Sequence, residues 1–372
     1  MRFVLFCHSL ISDWNHGNAH FLRGIVAELQ ERGHQVHVYE PADGWSRQQL
    51  LADAGARAIA DFHATFPALE SHAVDLTSLD LDAALQDADV VLVHEWNPPE
   101  LVARIGRHKR RTGRYTLLFH DTHHRSVTDV AAMSAFDLDD YDGVLAFGDV
   151  IRERYLERGW GRRAWTWHEA ADTRMFHPIA GVAEEGDVIW IGNWGDEERS
   201  AEIRSYLIES VRELGMRARV HGVRYPDAAQ IELASAGIEN AGYLPNHRAA
   251  AAYAAYRMTV HIPRRPYAEA LPGIPTIRVF EALACGIPLI SAQWEDRERL
   301  FTPGEDFLVA GTPAAMRSHM AALRADAAMR AGLAARGLAT IRARHTCAHR
   351  VDELFGIITQ LRGTAVEEVM TA

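Results

Sequence analysis

Short apolar runs alternate with amphipathic stretches along most of the chain. The first run, RFVLF at 2–6, is apolar from its second residue on, which suits a strand buried on both faces of a parallel sheet. From Ala19 to about Glu31, Phe21, Leu22, Ile25 and Leu29 recur at helical spacing and make one apolar face. Arg32-Gly33-His34 ends that helix, and QVHVYE (35–40) reads as the next strand. Strand, helix and strand in this order have the length a parallel crossover requires.

The alternation continues with a strand in DVVLVHEW (89–96), a helix over 99–111 and a strand in RYTLLFHD (114–121). GVLAFG (143–148) and a helix through Ile151–Arg158 follow. Periodicity is lost in TRMFHPIAGVAEEG (173–186), which carries Pro178 and Gly181. A second series then opens with DVIWIGNW (187–194) and a helix over 197–214. Strands in RARVHGV (217–223), YRMTVHI (256–262) and PLISA (288–292), with a helix over 276–285, complete it. The Ala- and Arg-rich stretch from about Ala314 to Ile358 favours helix. The pattern predicts an α/β protein of two Rossmann-like, doubly wound parallel-sheet domains, 1–175 and 176–355. The tail at 356–372 is expected to pack back on the first domain.

Length agrees, since 372 residues exceed one compact core. The composition, 48% hydrophobic and 24% charged, is that of a globular protein. A net charge of -11 speaks against a nucleic acid partner, which needs clustered Lys and Arg. Three cysteines without a CxxC spacing indicate neither a disulfide framework nor a thiolate zinc site. No apolar run approaches the roughly 20 residues of a membrane span. The N-terminal run lacks an A-x-A cleavage site, so a cytoplasmic address is expected, with a peripheral membrane contact left open.

Ligands of open parallel sheets collect beyond the carboxyl ends of the strands, so the loops there are where chemistry is expected. After the first strand comes CHSLISDWNHGNAH, in which Gly17 and Asn18 precede a helix whose free N–H groups suit an anion. An ordinary N-cap at Asn18 explains the same residues equally well. Asp13 in that loop is a candidate base. After RYTLLF comes His120-Asp121-Thr122-His123-His124, where His120 is placed to exchange a proton with a hydroxyl. Adjacent histidines do not converge readily on one ion, and the spacing matches no zinc pattern, so no metal is expected. His94, Glu95 and Trp96 repeat the placement of polar groups at a strand end.

In the second series, Asn193 and Gly195 of GNWGDEER (192–199) allow close backbone approach to a ligand. Arg199 reads most simply as a partner of Asp196 or a nearby Glu. The loop LPGIP, with Gly273 and Ile274, leads into a helix that Thr276 is placed to cap. Arg278 adds positive charge, and the carboxylate of Glu281 suits a ribose diol. Trp14, Trp96, Trp160 and Trp194 are candidates to line a sugar or apolar acceptor, although core packing is the commoner fate of tryptophan.

FEALACGIPLIS (280–291) resembles the E-A-x-A-x-G-x-P-(V/L) signature of the group 1 superfamily of GT-B glycosyltransferases. WHEAADTRMFHP (167–178), NAGYLPNHRAAAAYAAYRMTVHIP (240–263) and GEDFLV (304–309) resemble further segments of that family. The wording RVFEALACG followed by ERLFTPGEDFLV is most similar to the CgeB-like (spore-maturation) branch. The resemblance implies a GT-B architecture with a central cleft, the first domain on the acceptor side and the second binding the donor. It implies metal-independent transfer of a sugar from a nucleotide-diphosphate sugar, UDP-sugar ahead of GDP-sugar, with retention and no other cofactor. The acceptor, a small molecule, glycan or lipid-linked group, is not specified.

By position, the family's ribose-binding Glu falls on Glu281 and its active-site His on His120. The phosphate-approaching loop falls at Gly17-Asn18, and base contacts fall at Tyr243-Leu244. His94, Glu95, Trp96 and His123 fall on the acceptor side. An inverting enzyme would need a base, for which His120, Asp121 and Asp13 are candidates. GNWGDEER lacks the family's Lys, leaving Arg224, Arg265 or Arg278 to meet the diphosphate. Gly273 stands where the family carries a second Glu, so Glu269 or the LPGIP backbone would have to hold the sugar. Rival readings are a sugar-nucleotide epimerase or hydrolase on the same fold, and a catalytically silent nucleotide-binding protein.

Overall fold

In a computed structural model, the backbone is described for residues 1–371 and side chains for 1–363. The chain forms two compact units. The first comprises Met1–Glu169 and the segment from Cys347 onward, and the second Ala170–Thr346. The first unit thus ends six residues before the expected boundary at 175 and resumes eight residues before the expected end of the second domain at 355.

The first unit holds β1 (Arg2–Phe6), β2 (Gln35–Pro41), β3 (His72–Val74), β4 (Val90–His94), β5 (Thr116–Asp121), β6 (Gly143–Ala146) and β7 (Ala164–Thr166). They make one sheet in the order β3-β2-β1-β4-β5-β6-β7, every pair parallel. β4, β5 and β6 are buried at every position, which is why they read as apolar runs without alternation. The helix Ala19–Glu31 buries Phe21, Leu22, Ile25, Val26 and Leu29. It packs on the helix that begins at Cys347. There Phe355 meets Phe3 edge-on at 6.0 Å, and Trp167 Nε1 donates to the Arg350 carbonyl at 2.8 Å. The helix Pro99–Thr112 opens with proline and closes on Gly113 at φ 62°, with Lys109, Arg110 and Arg111 set against its negative end.

The second unit holds β8 (Gly186–Ile191), β9 (Ala218–His221), β10 (Ile238–Asn240), β11 (Tyr256–His261), β12 (Leu289–Ala292) and β13 (Leu308–Ala310). Their order is β10-β9-β8-β11-β12-β13, again all parallel. The expected helix over 197–214 starts later, at Ser200, and widens into a π-helical segment at Ile203–Ile208. Residues 195–197 instead form a loop in which Gly195, Asp196 and Glu197 all take positive φ. The helices Trp45–Ala54 and Arg57–Thr65 and the edge strands β3, β7, β10 and β13 carry no clear periodic signal in the sequence. The first helix buries only Ser46 and Leu50 and the second only Phe62, while each of those strands is three residues long.

Both sheets reverse strand order once. In the first unit the chain leaves β1 one way and β4 the other. In the second unit β8 and β11 are the corresponding pair. Beyond the carboxyl ends of such neighbouring strands the loops diverge and leave a crevice, where ligands of doubly wound sheets bind.

Candidate functional site

In the first unit the reversal point is flanked by residues 7–18 after β1 and by His94-Glu95-Trp96 after β4. Arg23, buried in the helix that follows the first loop, donates from Nε to the Leu10 carbonyl and from Nη2 to that of Ile11, both at 2.7 Å. Its Nη1 meets Asp13 Oδ2 at 2.9 Å, with both side chains almost fully buried. From β2, Glu40 accepts the Leu10 N–H at 2.6 Å. Asp13 is therefore engaged in holding the loop's shape, and its carboxylate points at a guanidinium rather than standing as a base. Asn18 makes no side-chain cap to the helix; its amide donates to Glu169 Oε1 at 2.7 Å instead. Gly17, half-buried, lies in the turn just before.

Four imidazoles follow one another across this edge. His8 and His16 have ring centres 5.0 Å apart, His16 and His94 6.4 Å, and His94 and His120 5.2 Å. Trp167 closes the row 4.9 Å from His120. His94 and His120 are register partners on β4 and β5, which is why the two strand ends deliver them together. Burial pushes His120 down to about 3 and His8 to about 4, and holds His16 and His94 well below the ordinary imidazole range. All four are neutral rings at physiological pH. Among the described residues no group makes a hydrogen bond to His120 Nε2, His94 Nδ1 or His16 Nε2, although each atom is buried. His94 and His120 also line a small cavity with Leu5, Phe6, Cys7 and Trp167.

Behind the histidines lies a buried carboxyl pair. Glu95 accepts the Thr122 N–H at 2.8 Å and pairs with Arg125 at 2.9 Å. Asp121 accepts the His123 N–H at 3.0 Å and the Tyr155 hydroxyl at 2.8 Å. Burial raises Glu95 well above the usual carboxylate range, and the neighbouring Asp121 raises it further against the pull of Arg125. Burial raises Asp121 as well. Like-charged carboxyls so placed share a proton more readily than both ionise. Asp121 is thus oriented inward, away from any role as an exposed base. Trp96 is 41% exposed, with the Arg125 guanidinium 4.4 Å from its ring centre and His123 5.1 Å away. Of the four candidate tryptophans, Trp14 and Trp194 are core residues, and Trp160 is only partly exposed. Among these four, Trp96 alone offers a broad accessible face.

In the second unit, Gly192 after β8 and Gly222 after β9 lie so close that a Cβ on Gly222 would collide with the Gly192 carbonyl oxygen. Asn193 Oδ1 accepts the Val223 N–H at 3.0 Å and ties the same two loops. Arg199 does not pair with Asp196 or a glutamate. Its guanidinium donates to the carbonyls of Asn193 and Ile262 and lies 5.1 Å from the Trp190 ring centre. It thereby joins the loops after β8 and β11. Arg224 pairs with Asp196 at 3.0 Å, Arg264 pairs with Glu198, and Arg265 donates to the Glu197 and Glu198 carbonyls. Two of the arginines expected to meet a diphosphate, Arg224 and Arg265, are thus engaged by the acidic loop 196–198.

The helix Ile277–Ala284 starts where the LPGIP loop ends. Thr276 does not cap it, because its hydroxyl is turned to His261 Nε2 at 3.0 Å. His261 Nδ1 meets Ser291 Oγ at 2.8 Å, and Ser291 in turn donates to the Ala292 carbonyl. The helix N-terminus keeps its first N–H groups unspent on a side-chain cap, and those donors suit an anion. Glu281, fully buried, pairs with Arg278 one turn before it. Gly273 adopts φ 99°, where a side chain is strained, and its N–H donates to Glu295 O at 2.6 Å. A glutamate at 273 would be strained in this turn, which favours the glycine. Ile274 beside it is buried, so it contributes through its backbone. Tyr243 and Leu244 follow β10, half-buried, and the Gly242 carbonyl accepts the Gly222 N–H at 2.9 Å. The positions expected to hold a nucleotide, from 193 and 243–244 to 273–281, therefore all lie on or next to the loops at the carboxyl edge of one sheet.

Residues 199–356 match a family model described as glycosyl transferase-like. The match spans the segment that carries Thr276, Arg278 and Glu281. No curated protein matches the sequence. Among solved structures, sucrose-phosphate synthase from Thermosynechococcus elongatus is 14% identical and superposes with a TM-score of 0.66, covering 98% of this chain and 100% of its own. Anabaena HepE, solved with UDP-glucose, is 14% identical with a TM-score of 0.65 over 99% and 100% of the two chains. T4 phage BGT with its UDP-glucose substrate is 10% identical with a TM-score of 0.60 over 96% and 99%. The fold is that of the GT-B glycosyltransferases.

Three residues that shape the candidate site had weak or no sequence signals. His261 ends an apolar strand just as His94 and His120 do, and the same strand-end logic applies to it. Arg23 interrupts the apolar face of its helix, which hints at a buried charge. Tyr155 carries no sign in sequence that it would meet Asp121.

Proposed function

We propose that this protein transfers a hexosyl group from a UDP-sugar to a hydroxyl acceptor, without a metal and with retention of anomeric configuration. The observation that carries the reading is Glu281, a carboxylate fully buried a turn inside a helix whose N-terminus carries no side-chain cap. Its salt bridge to Arg278 does not use every lone pair of the carboxylate, and a ribose diol supplies two hydroxyl donors to such a group. The family match over the same segment and the UDP-glucose named with two structural relatives support a nucleotide-sugar donor.

In this reading the bond from the anomeric carbon to the diphosphate oxygen breaks, the sugar passes to the acceptor oxygen, and the proton of the acceptor hydroxyl leaves on the diphosphate. Negative charge grows on the departing diphosphate. The N–H groups at Ile277 and Arg278 stabilise that charge, as electrostatic catalysis requires. Tyr243-Leu244 flank the base. His120, a neutral imidazole with no partner at Nε2 among the described residues, orients a hydroxyl of the transferred sugar. Trp96 presents its face to the acceptor. We place the protein in the CgeB-like branch and in the cytoplasm.

Titration calorimetry of the purified protein with UDP, GDP, ADP and dTDP tests this directly. Saturable UDP binding, weakened at least tenfold by Glu281→Ala, is the expected result. Silence across the panel in a folded sample overturns the reading. Proton NMR of the anomeric product then assigns retention or inversion.

A further inference from the structure

We infer that Thr122 and Glu95 lock His94 in the tautomer protonated at Nε2, leaving Nδ1 as a bare acceptor for a carbohydrate hydroxyl. His94 is the residue that touches the hydroxyl; Thr122 and Glu95 are positioning residues.

The argument is one of counting protons. Glu95 is surrounded by donors: Oε1 faces the Thr122 N–H at 2.8 Å and the Thr122 hydroxyl at 3.3 Å. Oε2 faces Arg125 Nε at 3.1 Å and Nη2 at 2.9 Å. The proton that Glu95 and Asp121 share lies in the hydrogen bond between the two carboxyls, so it does not point at Thr122, and Oε1 accepts from both Thr122 groups. The Thr122 hydroxyl has one proton, and turning it elsewhere would set a lone pair against the carboxyl oxygen. It therefore donates to Glu95 and accepts from its other neighbour, His94 Nε2, at 3.0 Å. A neutral imidazole with a proton on Nε2 has none on Nδ1. Burial keeps that ring neutral.

Nδ1 is buried, and among the described residues no group donates to it. An acceptor in that state is costly, and such atoms in folded proteins call for an explanation. The ring stands at the strand-order reversal of its sheet, beside His120 and the small cavity both line. The nearest rings, His16 and His120, have their centres 6.4 and 5.2 Å away, and neither makes a hydrogen bond to Nδ1. A hydroxyl can, because it donates its proton to Nδ1 while its oxygen remains available for other contacts. The carbohydrate source of that hydroxyl rests on the glycosyl-transfer reading; the tautomer does not.

The test is a long-range nitrogen–proton NMR correlation of the full chain labelled with 15N-histidine, with His94→Gln identifying the signal. The wild type is expected to show the Nε2–H pattern at neutral pH. Thr122→Ser should keep it, and Thr122→Val, which removes the hydroxyl but keeps the shape, should lose it. An Nδ1–H or imidazolium pattern in the wild type, or an unchanged pattern in Thr122→Val, overturns the assignment. Saturating UDP-glucose, or glucose added with UDP, should move the Nδ1 resonance while UDP alone leaves it in place. A shift with the first names the donor sugar, and a shift with the second names the acceptor. Calorimetrically confirmed binding of UDP-glucose and glucose with no shift overturns the hydroxyl role. If neither UDP nor UDP-glucose binds, the glycosyl-transfer reading and the carbohydrate role fall together, and the spectra still decide the tautomer.

Discussion

Thr276 gives its hydroxyl to His261, 3.0 Å away, instead of to the helix it precedes. The contact joins the end of β11 to the start of the helix Ile277–Ala284 and passes on through His261 to Ser291 at the end of β12. With Ser291 donating to a carbonyl, His261 carries its proton on Nδ1 and accepts from Thr276. Thr276→Val should therefore strand a buried acceptor and lower unfolding free energy by about 1–3 kcal/mol. Thr276→Ser should lie close to the wild type. Urea denaturation followed by tryptophan fluorescence decides between them, and equal midpoints for Val and Ser would remove the hydroxyl from the account.

Glu281→Ala should separate binding from folding. It removes the buried carboxylate that Arg278 meets, and because the Arg278 side chain is itself 25% exposed, the stability loss should stay below the roughly 3–5 kcal/mol of a fully buried pair. The more telling readout is UDP stabilisation. For a folded wild type at a hundredfold excess over Kd, thermal unfolding should gain roughly 2.7 kcal/mol from the ligand, and the variant should gain far less. A variant stabilised by UDP as strongly as the wild type would remove Glu281 from the donor site.

How far the sequence foretold these features depends on the distance over which each was decided. The parallel strands were legible because β4, β5 and β8 are apolar through both faces, a property of a few neighbouring residues. The candidate positions were legible for the same reason: a polar residue ending an apolar strand must sit at a sheet edge. What each group bonds to was not. Thr276 meets the requirements of an N-cap locally, and only the placement of His261 on another strand diverts it. Asn18 is diverted likewise by Glu169, and Asp13 by Arg23. Gly273 looked like a missing glutamate until its positive φ gave it a reason of its own.

The buried imidazoles make stability depend on pH. His16, His94, His120 and His261 are all held below the ordinary imidazole value by burial. The unfolded chain therefore binds protons that the folded chain refuses, and stability falls with acid. The contribution is complete above about pH 6.5 and erodes as the pH drops towards 3, the value to which His120 and His261 are lowered. Each such ring adds up to about 1.4 kcal/mol per pH unit within that window. Denaturation midpoints measured from pH 7 to pH 5 should fall steeply, and His120→Phe should flatten the slope. A flat profile over that range would show that the rings are not kept neutral by the fold.

Gly222→Ala should be severely destabilising, because its Cβ would run into the Gly192 backbone, which has nowhere to go. The loops after β8 and β9 would have to part, carrying Asn193 away from the Val223 N–H. Thermal melting should drop well below that of a control such as Gly33→Ala, whose glycine faces open space but also takes positive φ. Equal losses in the two would mean that the close approach of the loops is not what the glycine serves.

The return of the chain to its first unit at Cys347 sets an order of events during synthesis. Phe3, Trp167 and Glu169 find their partners on Phe355 and Arg350, which leave the ribosome only after the whole of the second unit. At roughly 5–20 residues per second, that interval lasts on the order of 10 s or more. The second unit is a continuous stretch and is complete before the first. The earliest part of the chain to emerge is thus the last to be finished, and for that interval its apolar face is one that a chaperone would be expected to cover.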